Sequence, residues 1–147
     1  MSVGRICVRE IDFAELNETA WQAAERMHDR AVGTLVVQDE HKHPVGILTD
    51  RDLVERVMAQ GKDPCQTMVA EIMTTNPVRT YQDASTESAV ALMRSGGFRR
   101  LPVVNHHDKL VGLLSLDDVL LLLCEEFTAI GELLKTQLPQ QVVQDAV

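Results

Sequence analysis

The stretch GILTDRDL at residues 46–53 returns as GLLSLDDV at residues 112–119. Both octets contain a glycine, two aliphatic residues, a hydroxyl residue, two variable positions, an aspartate and an aliphatic residue, in that order. At an offset of 66 residues, residues 19–53 align with residues 85–119 without a gap. The identical pairs are Ala23/Ala89, Met27/Met93, Leu35/Leu101, Val37/Val103, His41/His107, Val45/Val111, Gly46/Gly112, Leu48/Leu114 and Asp52/Asp118. The chain therefore contains two copies of one supersecondary unit.

Within each copy the hydrophobic periodicity changes in the same order. Residues 18–30 and 86–97 carry apolar side chains at helical spacing, which predicts a helix in each copy. The runs TLVVQ (34–38) and LPVVN (101–105), and then VGILT (45–49) and LVGLLS (110–115), are typical of short strands. A second helix follows, with acids in its first turn, and a short extended lead-in precedes each copy (ICV, 6–8, and PVRT, 77–80).

Composition narrows the class of protein. The chain has 147 residues, is 45% hydrophobic and only 3% aromatic, and carries a formal charge of −8. That charge opposes non-specific attraction to nucleic acid or to an anionic membrane surface. The sequence lacks an apolar run of the roughly 18 to 20 residues needed to span a membrane, and its start lacks a secretory signal. Three scattered cysteines without a CxxC predict reduced thiols, so we expect a cytoplasmic protein.

The repeated octet has two chemical interpretations. In the structural one, Thr49 and Ser115 cap the helices that follow them, and Asp52 and Asp118 complete capping boxes. In the functional one, each carboxylate accepts both hydroxyls of a ribose, while the hydroxyl residue and the helix N-terminal amides suit a phosphate. The two interpretations are compatible, because cap geometry also creates an anion site. The repeated glycine predicts a close approach of another backbone segment.

The repeated unit, with its PVV strand and G-h-h-[ST]-x-x-D element, resembles the CBS domain over roughly residues 6–123, and two copies resemble a Bateman module. The resemblance is to small stand-alone bacterial proteins with a CBS pair. It implies an α/β (α+β) fold of two tandem β-α-β-β-α repeats, packed through their sheets with pseudo-two-fold symmetry. The implied division is residues 1–62 for repeat 1 with its lead-in, 63–124 for the linker and repeat 2, and 125–147 for a C-terminal helical tail.

The resemblance also implies two nucleoside clefts, each assembled from both copies. The residues implied for cleft A are Thr49, Arg51, Asp52, Val78, Thr80, Phe98, Arg99 and Arg100. The residues implied for cleft B are Val8, Val32, Gly33, Thr34, Ser115, Asp117 and Asp118. Basic residues often bind phosphates at the positions of Arg99 and Arg100, whereas the first copy has Gly33 and Thr34 there. We therefore expect phosphate-bearing ligands to prefer cleft A.

The function implied is a non-catalytic regulatory module that binds AMP, ADP or ATP and signals by a change of shape to an unidentified protein. No other cofactor is expected, and neither nucleic acid nor a membrane is expected as a partner. The alternatives are a dimerisation or interaction scaffold with empty clefts, or a binder of another adenosyl ligand such as S-adenosylmethionine. Four histidines on polar turns (His41, His43, His106 and His107) lack a cysteine partner at ligand spacing, so no metal site is predicted. The sequence also lacks a Ser-His-Asp or Cys-His arrangement, a P-loop and a GxGxxG motif, so no catalytic residue is predicted.

A homodimer is expected, because a two-copy module usually leaves apolar helix faces uncovered. The residues predicted to form the interface are Ala23, Met27, Leu92, Met93 and the helix containing VLLLLC (119–124). Residues 125–137 predict an amphipathic helix with Phe127, Ile130, Leu133 and Leu134 on one face, which packs on its own module, on a dimer mate or on a separate target.

Overall fold

The structure, a computed structural model, describes residues 1–137. The helices are α1 (Ala20–Arg30), α2 (Asp50–Leu53, continued by a π-helical turn, Val54–Met58), α3 (Val69–Ile72), α4 (Thr86–Gly96) and α5 (Leu116–Gln137). The strands are β1 (Phe13–Ala14), β2 (Thr34–Gln38), β3 (Pro44–Thr49), β4 (Thr74–Thr75), β5 (Thr80–Tyr81), β6 (Arg100–Val104) and β7 (Leu110–Ser115). A 3₁₀ turn, Val3–Arg5, precedes them.

The two copies fold into the same arrangement. The first copy runs β1-α1-β2-β3-α2 and the second runs β5-α4-β6-β7-α5, which confirms the predicted β-α-β-β-α order. The first strand of copy 1 is Phe13–Ala14, so the prediction of ICV (6–8) as its lead-in strand was wrong. In each copy the first strand pairs parallel to the second, and the second pairs antiparallel to the third. Even the irregularity in the antiparallel pair recurs, at Val37/Gln38 and at Val103/Val104.

The segment that precedes each copy joins the sheet of the other copy. These two segments, residues 3–8 and 69–75, are called the lead-ins from here on. Strand β4 precedes the second copy and pairs antiparallel with β3 of the first. Val8 precedes the first copy and forms an antiparallel bridge with Leu113 in β7 of the second. The core follows the same exchange, since Val3 and Cys7 are buried in the second copy's core, and Val69 and Ile72 in the first. The predicted boundary between residues 62 and 63 therefore separates the repeats in sequence but not the two hydrophobic cores.

The exchanged lead-ins explain the repeated glycine. A Cβ at Gly112 would lie 2.6 Å from Sγ of Cys7 and 3.0 Å from the carbonyl oxygen of Val8. A Cβ at Gly46 would overlap the thioether of Met73, which stands 66 residues after Cys7. The close approach of another backbone segment is confirmed for Gly112, whereas the atoms nearest to a Cβ at Gly46 belong to the Met73 side chain.

Replacement of Gly112 by alanine is expected to destabilise the fold by about 1–3 kcal/mol, as overpacking commonly does. The Val8 carbonyl cannot move away easily, because it accepts a 2.9 Å hydrogen bond from the Leu113 N–H. Gly46→Ala is the matched control and is expected to cost less, because the flexible Met73 side chain can shift. Urea unfolding of the two variants checks the difference. Equal losses would contradict this explanation of the repeated glycine.

Three of the residues predicted for a dimer interface lie inside the protomer. Ala23 and Met27 are 0% and 6% exposed in the first core, and Met93 is 4% exposed in the second. Leu92 packs against the second core as a partly buried residue. The prediction was wrong for Ala23, Met27 and Met93, because the apolar faces of α1 and α4 cover their own sheets rather than a partner.

Helix α5 is longer than predicted and leaves an apolar face exposed. The second helix of copy 2 and residues 125–137 of the expected tail form one continuous helix, Leu116–Gln137; residues 138–147 lie outside the described part. Beyond Val119, which is buried, the helix exposes its apolar side chains to solvent: Leu120, Leu121, Leu123, Phe127, Ile130, Leu133 and Leu134. Residues 125–137 therefore do not pack on their own module. In the described range 1–137, every helix is too short or too polar to cross a membrane.

Candidate functional site

Cleft A is a cavity of about 300 Å³ whose walls come from both copies. The first copy contributes the end of β3 and the start of α2, and the second contributes its lead-in and the segment before β6. The lining residues are Ile47, Thr49, Asp52, Thr74, Asn76, Pro77, Val78, Phe98, Arg99 and Arg100. The exchange of lead-ins thus places the two halves of one cavity against each other.

Thr49 and Asp52 are held in this wall by a capping box at the start of α2. The Asp52 N–H donates to Oγ1 of Thr49 at 3.2 Å, and the Thr49 N–H donates to Oδ2 of Asp52 at 2.8 Å. The other carboxylate oxygen, Oδ1, lies 3.6 Å from the Arg56 guanidinium. The capping interpretation is confirmed for Asp52. The cap uses only Oδ2 of Asp52, and it fixes this nearly buried carboxylate in the wall of the cavity.

Cleft B is a second cavity of about 300 Å³, related to the first by the internal repeat. Its lining residues are Val8, Glu10, Ile11, Asp12, Ala31, Val32, Gly33, Thr34, Arg100, Leu113, Ser115 and Asp118. The same cap recurs here, because Oδ2 of Asp118 accepts hydrogen bonds from the N–H and the hydroxyl of Ser115, both at 2.7 Å. The Asp118 N–H donates in return to Oγ of Ser115 at 3.1 Å.

Most residues expected in the two clefts line them, and three do not. Arg51 projects away from cleft A and donates from Nε to Oε1 of Glu55 at 2.7 Å, a contact that raises the pKa of Arg51. Thr80 is buried within β5 and does not reach the cavity. Asp117 lies outside the lining of cleft B and instead accepts a 3.1 Å hydrogen bond from Arg99. These three are corrections to the expected lining.

The clefts also contain residues that the sequence analysis did not assign. Asn76 and Pro77 line cleft A, and Glu10 and Ile11 line cleft B at positions 66 residues earlier. The offset of 66 residues could have predicted them. Val78 was assigned to cleft A, and the residue 66 positions earlier is Asp12, which lines cleft B. Arg100 had been expected in cleft A alone but lines both cavities. The sequence has no pattern that predicts contact of one residue with both cavities.

The two clefts differ in charge. Cleft A combines one carboxylate, Asp52, with the guanidinium groups of Arg99 and Arg100. Cleft B combines the carboxylates of Glu10, Asp12 and Asp118 with Arg100 alone, and Asp12 already pairs with Arg30 at 2.8 Å. The lining of cleft A is therefore the more basic of the two, and the lining of cleft B the more acidic.

Thr34 has an orphaned hydroxyl in the wall of cleft B. Its side chain is 7% exposed, and its Oγ1 is the one buried side-chain polar atom without a hydrogen-bond partner among the described residues. A buried hydroxyl without a partner costs free energy, so such a group in a cavity wall is commonly satisfied by water or a ligand. The Thr34 side chain lines cleft B, but its Oγ1 is itself inaccessible, so it would reach a ligand there only after a change of rotamer.

Histidines of the two polar turns contact carboxylates of their own copies. Within residues 1–137, no three His, Cys, Asp or Glu side chains are arranged to hold a metal ion. His43 instead lies 3.3 Å from Asp39, and His106 lies 2.9 Å from Asp83. Burial raises the pKa of the Cys7 thiol, which packs against Gly112.

Comparisons with known proteins agree with this architecture. Uncharacterized protein MK0525 from Methanopyrus kandleri is 36% identical over 120 residues, which are 82% of this chain and 61% of that relative, so the match spans less than two thirds of its length. A solved protein with CBS domains from Burkholderia ambifaria is 31% identical, with a TM-score of 0.75 over 82% of this chain and 91% of its own. The CBS domain pair of protein MJ0100, solved in complex with 5′-methylthioadenosine and S-adenosyl-L-methionine, is 25% identical, with a TM-score of 0.77 over 86% of this chain and 98% of its own.

The family comparison assigns the two copies individually. The profile of the CBS domain matches residues 3–59 and again residues 69–125, which together are more than half of the chain. Each match contains one copy of the octet and one lead-in. The chain belongs to the CBS domain family and is a tandem pair of CBS domains.

Proposed function

We propose that this CBS pair is a non-catalytic regulatory module that binds an adenine nucleotide in cleft A. The observation that carries the proposal is the cavity of about 300 Å³ in which Asp52 of one copy faces Arg99 and Arg100 of the other. A carboxylate and two guanidinium groups in one small cavity suit a ligand that carries both vicinal hydroxyls and a phosphate. No cofactor beyond the regulatory nucleotide is required.

The apolar part of cleft A suits a purine ring. Ile47, Val78 and Phe98 line the cavity, and small-molecule sites are commonly apolar with a few well-placed polar groups. The adenine ring lies between these side chains, the ribose hydroxyls bind Asp52, and the phosphate reaches Thr49 and the two arginines. Because the arginines come from the second copy and Asp52 from the first, the nucleotide bridges both repeats.

A route for the signal starts at Arg99. Its Nη2 lies 3.1 Å from Oδ1 of Asp117, and both side chains are about two thirds exposed (66% and 65%). Exposed ion pairs of this kind contribute little stability, so a phosphate in cleft A can take Arg99 from Asp117. Asp117 lies in the first turn of α5, so nucleotide binding would release a contact between this helix and the segment before β6.

Helix α5 is the surface through which we propose that two copies associate. Five exposed apolar residues recur at alternating intervals of three and four, which is coiled-coil spacing: Leu120, Leu123, Phe127, Ile130 and Leu134. We call them the α5 stripe. Glu125 and Glu132 lie at heptad positions opposite the stripe, and Glu126 lies on its flank beside Phe127, so each of these three carboxylates is outside the stripe. A homodimer through the α5 stripe connects nucleotide binding to assembly, and the regulated partner protein would sense that change.

Cleft B suits a different adenosyl ligand, because its walls are acidic. Glu10 and Asp118 oppose a phosphate but favour an uncharged or cationic nucleoside. The MJ0100 pair, a similar fold, was solved with one ligand of each kind, uncharged 5′-methylthioadenosine and cationic S-adenosyl-L-methionine. This supports adenosyl binding as the general chemistry of the pair.

Thermal unfolding against AMP, ADP, ATP, adenosine and S-adenosylmethionine tests the proposal. A ligand that binds only the native state at about 100 times its dissociation constant adds roughly 2.7 kcal/mol. For a domain of this size, that corresponds to an increase of roughly 5–10 °C in Tm. The matched control is Asp52→Asn, which keeps a cap acceptor but loses the charge that binds ribose, and the AMP response should decrease in this variant. Unchanged Tm with all five compounds would favour the scaffold with empty clefts.

A further inference from the structure

Of the residues that the structure describes, 1–137, Arg100 alone lines both cavities of the pair. It opens strand β6, opposite Ser115 of β7, and Ser115 belongs to the wall of cleft B. The next residue along the strand, Leu101, is fully buried, so the backbone of Arg100 is anchored while its long side chain remains half-exposed. The guanidinium group therefore lies between two cavities on a backbone that does not need to move.

Within residues 1–137, Arg100 has no salt-bridge partner, in contrast to Arg99, which pairs with Asp117. Its repeat counterpart in the first copy is Thr34, which is short and lines cleft B alone. The pseudo-two-fold symmetry is therefore broken at this pair of positions. Arg100 lines two cavities, and Thr34 lines one.

We infer that Arg100 couples the two clefts, so that a phosphate in cleft A increases the affinity of cleft B for a cationic adenosyl ligand. The inference rests on the proposed function of cleft A. A guanidinium group binds phosphate by charge-assisted hydrogen bonds, which are the strong ones. A phosphate in cleft A therefore holds Arg100 on that side and removes its positive charge from cleft B.

The charge left in cleft B determines which ligand it takes. Without Arg100, the lining of cleft B keeps the carboxylates of Glu10, Asp12 and Asp118 and has no basic side chain among the described residues, and Asp12 already pairs with Arg30. A sulfonium or another cation is then favoured, and a second phosphate is disfavoured. The pair thus binds one anionic and one non-anionic adenosyl ligand at the same time, one in each cleft.

Calorimetric titration of S-adenosylmethionine tests the coupling in three states of the protein: free, saturated with AMP, and saturated with adenosine. Coupling between two sites is typically worth roughly 5- to 150-fold in affinity. AMP is expected to lower the dissociation constant of S-adenosylmethionine by about tenfold. Adenosine, which lacks the phosphate, is expected not to lower this dissociation constant, and to raise it where adenosine itself occupies cleft B. By reciprocity, S-adenosylmethionine should tighten AMP by the same factor.

Two arginine variants separate coupling from simple binding. In Arg100→Gln, S-adenosylmethionine should bind the free protein about as tightly as it binds the AMP-loaded native protein, and AMP should add nothing further. Arg99→Gln is the matched control, because Arg99 lines cleft A alone. It should weaken AMP, yet saturating AMP should still tighten S-adenosylmethionine. Asp118→Asn should weaken S-adenosylmethionine and leave AMP unaffected, which assigns the two ligands to their clefts.

The outcomes distinguish this inference from the function on which it rests. Failure of AMP to bind the native protein would overturn both. AMP binding with an unchanged or weakened affinity for S-adenosylmethionine would overturn the coupling alone. Absence of S-adenosylmethionine binding in every state would overturn the ligand class assigned to cleft B. Retention of the tenfold effect in Arg100→Gln would show that the coupling does not act through Arg100.

Discussion

A protein that carries Arg99→Ala and Arg100→Ala is expected to bind AMP roughly tenfold to more than a thousandfold more weakly than the native chain. Each arginine lines cleft A, and a hydrogen bond to a charged group is worth about 1.5–3 kcal/mol. The loss of one or two such contacts corresponds to that range, because every 1.4 kcal/mol is about tenfold in affinity. Adenosine lacks the phosphate, so its affinity should be nearly unchanged.

Calorimetry with AMP measures the effect, and a pair of isosteric variants controls for the cleft that is occupied. Asp52→Asn removes the carboxylate charge from cleft A and should lose most of the AMP affinity. Asp118→Asn makes the same change at the equivalent position of cleft B and should lose little. Asparagine retains a side-chain oxygen for the cap contact with the backbone of Thr49 or Ser115, so both proteins are expected to fold. Equal losses in the two variants would contradict the preference for cleft A.

The native protein is expected to be a dimer, and Phe127→Glu/Ile130→Glu is expected to make it a monomer of about 16.4 kDa. Phe127 and Ile130 are 73% and 54% exposed in the middle of the α5 stripe, so the protomer's own fold does not depend on them. Paired with an identical helix, each glutamate would lie unpaired in an apolar contact, which costs several kcal/mol per charge. The dimer dissociation constant should therefore increase by more than roughly a hundredfold.

Light scattering at micromolar concentration measures the mass of each protein. Leu121→Glu is the matched control, since Leu121 is 64% exposed on α5 but lies outside the stripe, and this variant should remain a dimer. A native mass of 16.4 kDa would contradict the dimer. A dimeric Phe127→Glu/Ile130→Glu protein would contradict an interface through the α5 stripe. It would indicate another apolar surface instead, such as the π-helical turn with Val54 and Met58.

The sequence by itself determined the repeated architecture and the position of the polar cleft residues. A duplicated pattern of periodicities allows only one order of elements in both copies, and the order β-α-β-β-α follows. The octet specifies its own local geometry, because Thr49 with Asp52 and Ser115 with Asp118 are capping boxes whose hydrogen bonds span three residues. The repeated glycine likewise marks a strand position at which both copies have no room for a side chain. Contacts between residues that are close in sequence, and the internal repeat, depend only on the order of residues, so both could be predicted from the sequence.

The tertiary structure alone decided which long side chains reach which cavity and which apolar faces remain exposed. Arg51, Arg99 and Arg100 are the same residue type near the same cleft, yet one binds Glu55, one binds Asp117 and one lines both cavities. The direction of an arginine depends on the carboxylates that neighbouring elements bring close, and sequence spacing does not encode those distances. In the same way, Met27 and Phe127 both occupy apolar helix faces, but only the face of Met27 has a sheet to cover. Periodicity marks a face as apolar, whereas only the packing of the remaining chain decides whether that face is buried within the protomer or left for a partner.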